Sequence, residues 1–165
     1  MQEKLCTIIL TKNEDIHLSR ILKQISKLSD HIVVVDSGST DKTIYIAEKY
    51  NCEIIKKTWK NYASQFNFAL RHVKKKFEWI LRIDADEYFQ DLNSISKVIS
   101  KIHHAKYSNV NGISLNREIK FLGNSIRYGG VFPIQVIRLF RSKNGKCENR
   151  WMDEHIVVDG KIIHE

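Results

Sequence analysis

The first two-thirds of the chain alternates two apolar rhythms, and that alternation restricts the fold more than anything else in the sequence. An apolar run over 4–11 ends at Thr11-Lys12-Asn13-Glu14; Leu18, Ile21, Leu22, Ile25 and Leu28 then follow at the spacing of one helix face. His31 to Asp36 contains Ile32-Val33-Val34-Val35, a run that suits a strand covered on both faces. A second helical segment carries Ile44, Ala47 and Tyr50. Cys52 to Lys56 reads as a short third strand, and a third helix groups Phe66, Ala69, Leu70 and Val73. Trp79-Ile80-Leu81-Arg82-Ile83 reads as a fourth strand, followed by a helix over about residues 91–104 with Leu92, Ile95, Ile99 and Ile102. This pattern predicts an α/β domain with a mainly parallel sheet, right-handed crossovers and helices on both faces.

In such sheets ligands bind beyond the carboxyl ends of the strands, near the switch in strand order. Thr11 to Glu14, Asp36 to Asp41 and Asp84 to Glu87 each follow a strand, so they converge on that edge. Asp84-Ala85-Asp86-Glu87 sets three carboxylates within four residues. If extended geometry continues past the strand, Asp84 and Asp86 point one way and Ala85 the other. Adjacent carboxylates repel unless protons or a cation neutralise them, and a hard divalent cation that also binds phosphate oxygens would do so. An Asp-x-Asp is short and frequent by chance; its position after an apolar run is what gives it weight. The loop Asp36-Ser37-Gly38-Ser39-Thr40-Asp41 lacks Gly-x-x-x-x-Gly-Lys, and nothing in the chain matches Gly-x-Gly-x-x-Gly. That argues against a Walker-type NTPase and a simple dinucleotide site. Asp36 is placed to accept hydrogen bonds from a base or ribose, and Gly38 allows close backbone approach. Ser39, Thr40 and Asp41 are expected to cap the next helix.

At 165 residues the chain is long enough for one domain with a real core. Its net charge of +8 implies attraction to anions, whether a nucleotide, an anionic membrane face or nucleic acid, without choosing among them. Lys74-Lys75-Lys76 is expected at a helix C-terminus, where cations favour the dipole. The three cysteines, Cys6, Cys52 and Cys147, are widely spaced, fit no metal pattern and suggest free thiols in a reducing compartment. The apolar run Leu5 to Leu10 is too short for a signal peptide and no run approaches bilayer-spanning length, so a cytoplasmic location is expected.

After residue 105 the rhythm changes. Gly112 to Phe121 and Ile134 to Phe140 read as extended, with turns at Gly123-Asn124 and Asn144-Gly145 and a break at Tyr128-Gly129-Gly130. Ile156-Val157-Val158, an Asp159-Gly160 turn and Ile162-Ile163 close the chain. His72, His103 and His104 read as solvated helix residues; His164 reads as a surface residue ahead of a metal ligand, Arg127, Arg138 and Arg141 as solvated strand-edge charges ahead of contacts to diphosphate or acceptor, and Trp59 and Tyr62 as core ahead of rings that stack on a sugar.

Four segments in order resemble the family 2 inverting glycosyltransferases of the GT-A fold. They are Thr11-Lys12-Asn13-Glu14; Val33-Val34-Val35-Asp36-Ser37-Gly38-Ser39-Thr40-Asp41-Lys42-Thr43; Gln65-Phe66-Asn67-Phe68-Ala69-Leu70; and Ile83-Asp84-Ala85-Asp86-Glu87. Within that family the pattern looks most like bacterial enzymes that add sugars to lipopolysaccharide core or related surface glycans. The resemblance implies inverting transfer from a nucleotide-diphosphate sugar, UDP by family frequency, to a glycan or glycolipid acceptor. It also implies a Mg2+ or Mn2+ cofactor and peripheral contact with the inner, anionic membrane face. Thr11, Glu14 and Asp36 would hold the base and ribose, with Gln65 also on the nucleotide side. Asp84 would sit near the ribose and metal, and Asp86 would bind the ion bridging the diphosphate. The general base would come from a downstream acidic pair. Trp151-Met152-Asp153-Glu154-His155 supplies it, with Asp153 set slightly ahead of Glu154. The single domain 1–165 would divide into a donor-nucleotide-binding half, 1–104, and a β-rich acceptor-side half, 105–165. Family members usually continue with further helices, so the second half would be truncated relative to them. Two other readings stay open: a nucleotidyltransferase, and a non-catalytic basic module for nucleotide or nucleic acid. The leading reading expects no nucleic acid partner.

Overall fold

The computed structural model describes residues 4–129, 132–150 and 154–165. The first part runs β1 (Leu5–Thr11), α1 (Asp15–Ile25), β2 (His31–Asp36), α2 (Thr43–Lys49), β3 (Glu53–Lys56), α3 (Tyr62–Val73), β4 (Trp79–Arg82) and α4 (Leu92–Lys101). A short 3-10 turn, Ala105–Tyr107, leads into β5 (Val110–Arg117), β6 (Lys120–Phe121), β7 (Asn124–Ser125), β8 (Ile134–Arg141), β9 (Gly145–Cys147), β10 (Ile156–Val158) and β11 (Lys161–His164). Seven strands form one sheet in the order β11-β5-β8-β4-β1-β2-β3. The four strands β3, β2, β1 and β4 are parallel, as the alternation predicts. β8 runs antiparallel to β4 and β5, and β11 lies parallel to β5.

Side-chain alternation sorts the core onto two faces. Leu5 and Ile9 of β1, Val34 of β2, and Trp79 and Leu81 of β4 pack with Leu18, Ile21, Leu22 and Ile25 of α1 and with Ile95 and Ile99 of α4. Cys6, Ile8, Val33, Val35 and Ile80 face the other way, against Phe66, Ala69, Leu70 and Val73 of α3. That second face is completed by the β9–β10 ribbon, through Cys147, Ile156 and Val158. A side chain at Gly145 would drive its Cβ to 2.2 Å from the Phe140 ring, so the ribbon can leave β8 closely only at a glycine. The lysine run lies at the C-terminus of α3 as expected; the Lys74 N–H donates to Leu70 O.

The topology positions the site. From β1 the chain passes to β2 on one side, and β4 lies on the other, so the strand order switches at β1. The carboxyl ends of β1, β2 and β4 therefore meet around one crevice. Because β8 is antiparallel to β4, its first half returns to the same edge.

Candidate functional site

Three loops meet at the carboxyl ends of β1, β2 and β4. Asp36, at the end of β2, is only 1% exposed. One carboxylate oxygen accepts from the N–H groups of Gly38 and Ser39, each at 2.8 Å. The other accepts from the hydroxyls of Ser39 and of Thr11, the latter at 3.1 Å. Gly38 has φ +91°, a left-handed backbone that lets the loop fold back onto Asp36. Burial alone would push the Asp36 carboxyl up, but the hydrogen bonds from Ser39, Gly38 and Thr11 outweigh it and hold the carboxyl below its usual range. Thr11 and Asp36, expected beside the nucleoside, thus occur together in a saturated network that shapes the loop. A nucleoside can bond to Asp36 only by taking the place of one of these donors.

The same loop is sewn to the one after β1. The Asn13 N–H donates to Ser39 Oγ at 2.8 Å, and the Thr40 N–H donates to Asn13 Oδ1 at 2.8 Å. The Glu14 N–H donates to Thr43 Oγ1 at 2.7 Å. Of the three residues expected to cap α2, Asp41 does so, accepting from the Thr43 N–H at 2.9 Å; it also accepts from the Asp15 N–H at the start of α1. Ser39 and Thr40 bridge the two loops instead, because the chain turns at Gly38 before α2 begins. Gln65, fully buried on α3, donates to Ser37 Oγ at 2.9 Å and Lys57 O at 2.8 Å, which pins the start of the loop from below.

Replacing Asp36 by asparagine is expected to cost about 1–3 kcal/mol of stability, since one amide end would face donors. The parent's carboxyl is depressed in the folded state, so its contribution is complete above the unfolded value of 3.8 and fades as pH falls through the folded one. Urea unfolding followed by circular dichroism at neutral and acid pH should therefore show a larger gap between parent and Asp36→Asn at neutral pH. An equal gap at both would refute the assignment.

Beyond β4 the extended backbone stops. The Glu87 N–H donates to Asp84 O at 3.1 Å, closing a turn over Asp84-Ala85-Asp86-Glu87. The expectation that Asp84 and Asp86 extend one strand face therefore fails, and the two carboxylates have different surroundings. Asp84 accepts from the Tyr62 hydroxyl at 2.8 Å and lies 3.3 Å from Arg82 Nη2 and 3.8 Å from Arg138 Nη1. Arg82 Nε in turn donates to the Tyr62 oxygen at 2.5 Å. Asp86 is exposed; its backbone O accepts from Arg20 Nη2 at 2.6 Å, while its carboxylate makes no hydrogen bond or ion pair among the described residues. Burial first, and then the charge of Asp86, push the Glu14 carboxyl up, so Asp86 and Glu14 share one negative field.

Three residues of this network were not assigned from the sequence. Arg138, read there as a surface residue, is 5% exposed and pairs with Glu87, which also accepts from the Asp84 N–H at 3.1 Å. Glu87 is thereby drawn to Arg138 rather than grouped with the carboxylates on the metal side. Burial pushes the Glu87 carboxyl up in spite of Arg138. Removing one member of such a buried pair costs about 3–5 kcal/mol, which makes the pair a structural constraint on the Asp84 turn. Tyr62 is half core and half site: its ring stacks on Phe66 while its hydroxyl holds Asp84, and burial followed by the Asp84 charge raises its phenol well above the ordinary range. The available signal was a charge inside an apolar strand run, at Arg82 and again at Arg138. Trp59, expected in the core, is 53% exposed. Arg141 donates to Val110 O and Ser108 O and lies over Trp79, so it is a structural residue.

Asp153 lies outside the described residues. Glu154 is half-buried at the base of the loop that joins β9 and β10. The Glu148 N–H donates to His155 O at 3.0 Å across the foot of that loop. Asn67 of α3 anchors the ribbon from both sides, donating to Cys147 O at 2.7 Å and accepting from the Cys147 N–H at 2.9 Å. Asn61, the N-cap of α3, donates to Asn149 at 3.1 Å, next to Tyr62. Burial pushes the Cys147 thiol up to about 11, and the charges of Arg82, Glu154 and Asp84 all reach it. His164 Nδ1 meets Ser114 Oγ at 2.5 Å, away from these carboxylates.

Between residues 83–90 and parts of β5 and β8, with Glu118, Ile119, Lys120, Arg127 and Phe132 also lining it, lies an open cleft of about 820 Å3. Asp84, Asp86, Glu87, Arg117 and Arg138 are among its lining residues. Among the described residues no group of three histidine, cysteine or acidic side chains is arranged to hold a metal ion by itself.

A family model described as Glycosyl transferase family 2 matches residues 6–156. An uncharacterized glycosyltransferase of Rickettsia bellii (strain RML369-C) is 40% identical over 87 residues, covering 53% of this chain and 29% of the relative. The lipopolysaccharide core biosynthesis glycosyltransferase LpsC of Rhizobium meliloti (strain 1021) is 26% identical over 164 residues, 96% of this chain and 58% of the relative. The chain thus spans less than two-thirds of the length of either. Among solved structures, S. aureus TarS 1-349 superposes with a TM-score of 0.60 at 19% identity, covering 84% of this chain and 47% of that one. Glucosyl-3-phosphoglycerate synthase from Mycobacterium tuberculosis, solved with Mn2+, UDP and glucosyl-3-phosphoglycerate, gives 0.56 at 15% identity, covering 68% and 43%. At these identities the two structures speak for the fold alone.

Proposed function

The chain belongs to glycosyl transferase family 2, and we propose that it moves a sugar from a nucleotide-diphosphate sugar, with inversion and divalent-metal assistance, to a surface-glycan or lipid-linked acceptor. The observation that carries this reading is the division of labour in the Asp84–Glu87 turn. Asp84 and Glu87 are held by Tyr62, Arg82 and Arg138, which leaves Asp86 as the free carboxylate at the switch point of the sheet. Mg2+ and Mn2+ are often held by one or two carboxylates and completed by substrate phosphates and water, so a site with few protein ligands fits them. Asp86 would hold the ion, beside the negative field of Glu14. A cation so bound supplies Lewis-acid stabilisation of charge on the departing diphosphate.

The other tasks fall to the chain's own groups. The sewn loops Thr11–Glu14 and Asp36–Thr43, propped by Gln65, form the rigid floor for the nucleoside. Tyr62 and Arg82 fix the orientation of Asp84 near the ribose. Asp153 or Glu154 takes the proton of the acceptor hydroxyl as its oxygen forms the new bond to the anomeric carbon and the bond to the diphosphate oxygen breaks. The likeness to LpsC supports an acceptor in lipopolysaccharide core or a related glycan. A net charge of +8 suits a cytoplasmic protein working against the inner, anionic face of the membrane.

The test is calorimetry with UDP, GDP and ADP, each with and without Mn2+, and with a DNA oligonucleotide. Metal-dependent binding of one nucleoside diphosphate, UDP as expected, supports the reading. Salt-sensitive oligonucleotide binding with no metal-dependent nucleotide binding would favour the basic-module alternative and overturn it.

A further inference from the structure

The cleft beside the Asp84–Glu87 turn holds two buried guanidinium nitrogens that make no hydrogen bond among the described residues. Arg138 is fixed by Glu87 through Nη2, yet its Nη1 is buried with no hydrogen-bond acceptor, and the nearest carboxylate, Asp84, stands off at 3.8 Å. Arg117 Nε, at the end of β5, is likewise buried and unbonded, and the side chain of Arg117 makes no hydrogen bond or ion pair among the described residues. Arg117, of β5, and Arg138, of β8, line the same cleft as Asp86. Buried N–H donors are nearly always satisfied, and a charged donor left unbonded is the costliest exception. Lys120 and Arg127 line the same cleft, where Glu118, which accepts from Gln90, lies within their charge.

We propose that this cleft holds an oxyanion subsite for the acceptor, with Arg117 and Arg138 donating to a carboxylate or phosphate that the acceptor carries near the hydroxyl to be glycosylated. The inference rests on the transferase reading and narrows it. A metal held at Asp86 would answer the charge of the donor diphosphate, which leaves the arginines of the same cleft for a second anion. A guanidinium presents its N–H groups as a planar fork that matches a carboxylate or phosphate, and Arg138 is already oriented by Glu87, so little freedom is lost on binding. A neutral sugar acceptor would leave both donors unsatisfied.

The experiment is calorimetric titration of the protein with inorganic phosphate, glucose 6-phosphate, glucuronate and glucose, each in the presence and absence of Mg2+ and UDP. The anionic probes should bind in both states and glucose in neither; the stronger of glucose 6-phosphate and glucuronate identifies the anion as phosphate or carboxylate. Arg117→Gln, which breaks no ion pair, should weaken anion binding roughly tenfold while the UDP titration stays that of the parent. Arg117→Lys should fall between them, because an ammonium keeps the charge without the fork. The proposal is overturned if no anionic probe binds, if Mg2+ and UDP exclude the probes, or if Arg117→Gln binds them as the parent does. Failure of UDP itself to bind would sink the transferase reading, and the probe titrations would still decide whether the arginines bind an oxyanion.

Discussion

Asp86→Asn is expected to lose metal-dependent UDP binding and to reduce sugar transfer by roughly three orders of magnitude, the scale of a Lewis acid's several kcal/mol. The reasoning is local. Asp86 is exposed, its carboxylate makes no hydrogen bond or ion pair among the described residues, and its structural contact is made by its backbone oxygen to Arg20. Asparagine keeps that contact, so stability should change by less than about 0.5 kcal/mol, as for surface substitutions generally. The loss should therefore appear in Mn2+-dependent calorimetry and in turnover, with an unchanged urea midpoint. Asp84→Asn makes the contrast. It removes a charge paired with Arg82 and Arg138, so it should lower stability as well. Unaltered metal-dependent affinity in Asp86→Asn would show that the ion is held elsewhere.

The second large effect is expected at the acidic pair between β9 and β10. Asp153→Asn or Glu154→Gln, whichever removes the base, should lower transfer by roughly two to four orders of magnitude. Donor affinity should stay near the parent's, because the base acts as the acceptor proton leaves and not while the donor binds. Four other carboxylates of the site are committed. Asp41 caps a helix, Asp84 and Glu87 are held by Arg82 and Arg138, and Asp36 is saturated by four donors. Glu154 is half-buried at the foot of the β9–β10 loop, whose other end is held to α3 through Cys147 and Asn149, and Asp153 is adjacent to it in sequence. Steady-state transfer and donor titration, run on both variants, decide the matter. If both transfer at the parent rate, the base is another group.

Strand–helix alternation was readable because buried parallel strands must be apolar on both faces and amphipathic helices on one. The runs at 4–11 and 31–36 and the helix stripe Leu18-Ile21-Leu22-Ile25 carry that information locally. Convergence of Thr11, Asp36 and Asp84 on one edge follows from parallel pairing and needed no coordinates. What each polar residue does on that edge was decided by tertiary structure. Asp36 looked like a free acceptor until Gly38, Ser39 and Thr11 were seen to fill its lone pairs. Asp84 and Asp86 are two residues apart, yet a turn separates their roles, because arginines from β4 and from the distant β8 neutralise one and not the other. Nothing local to Arg138 announces that Glu87, on a loop 51 residues earlier, will meet it in the core. Periodicity is a property of neighbours in sequence, whereas charge compensation is a property of neighbours in space; the first can be read along the chain, and the second exists only once β8 has paired with β4.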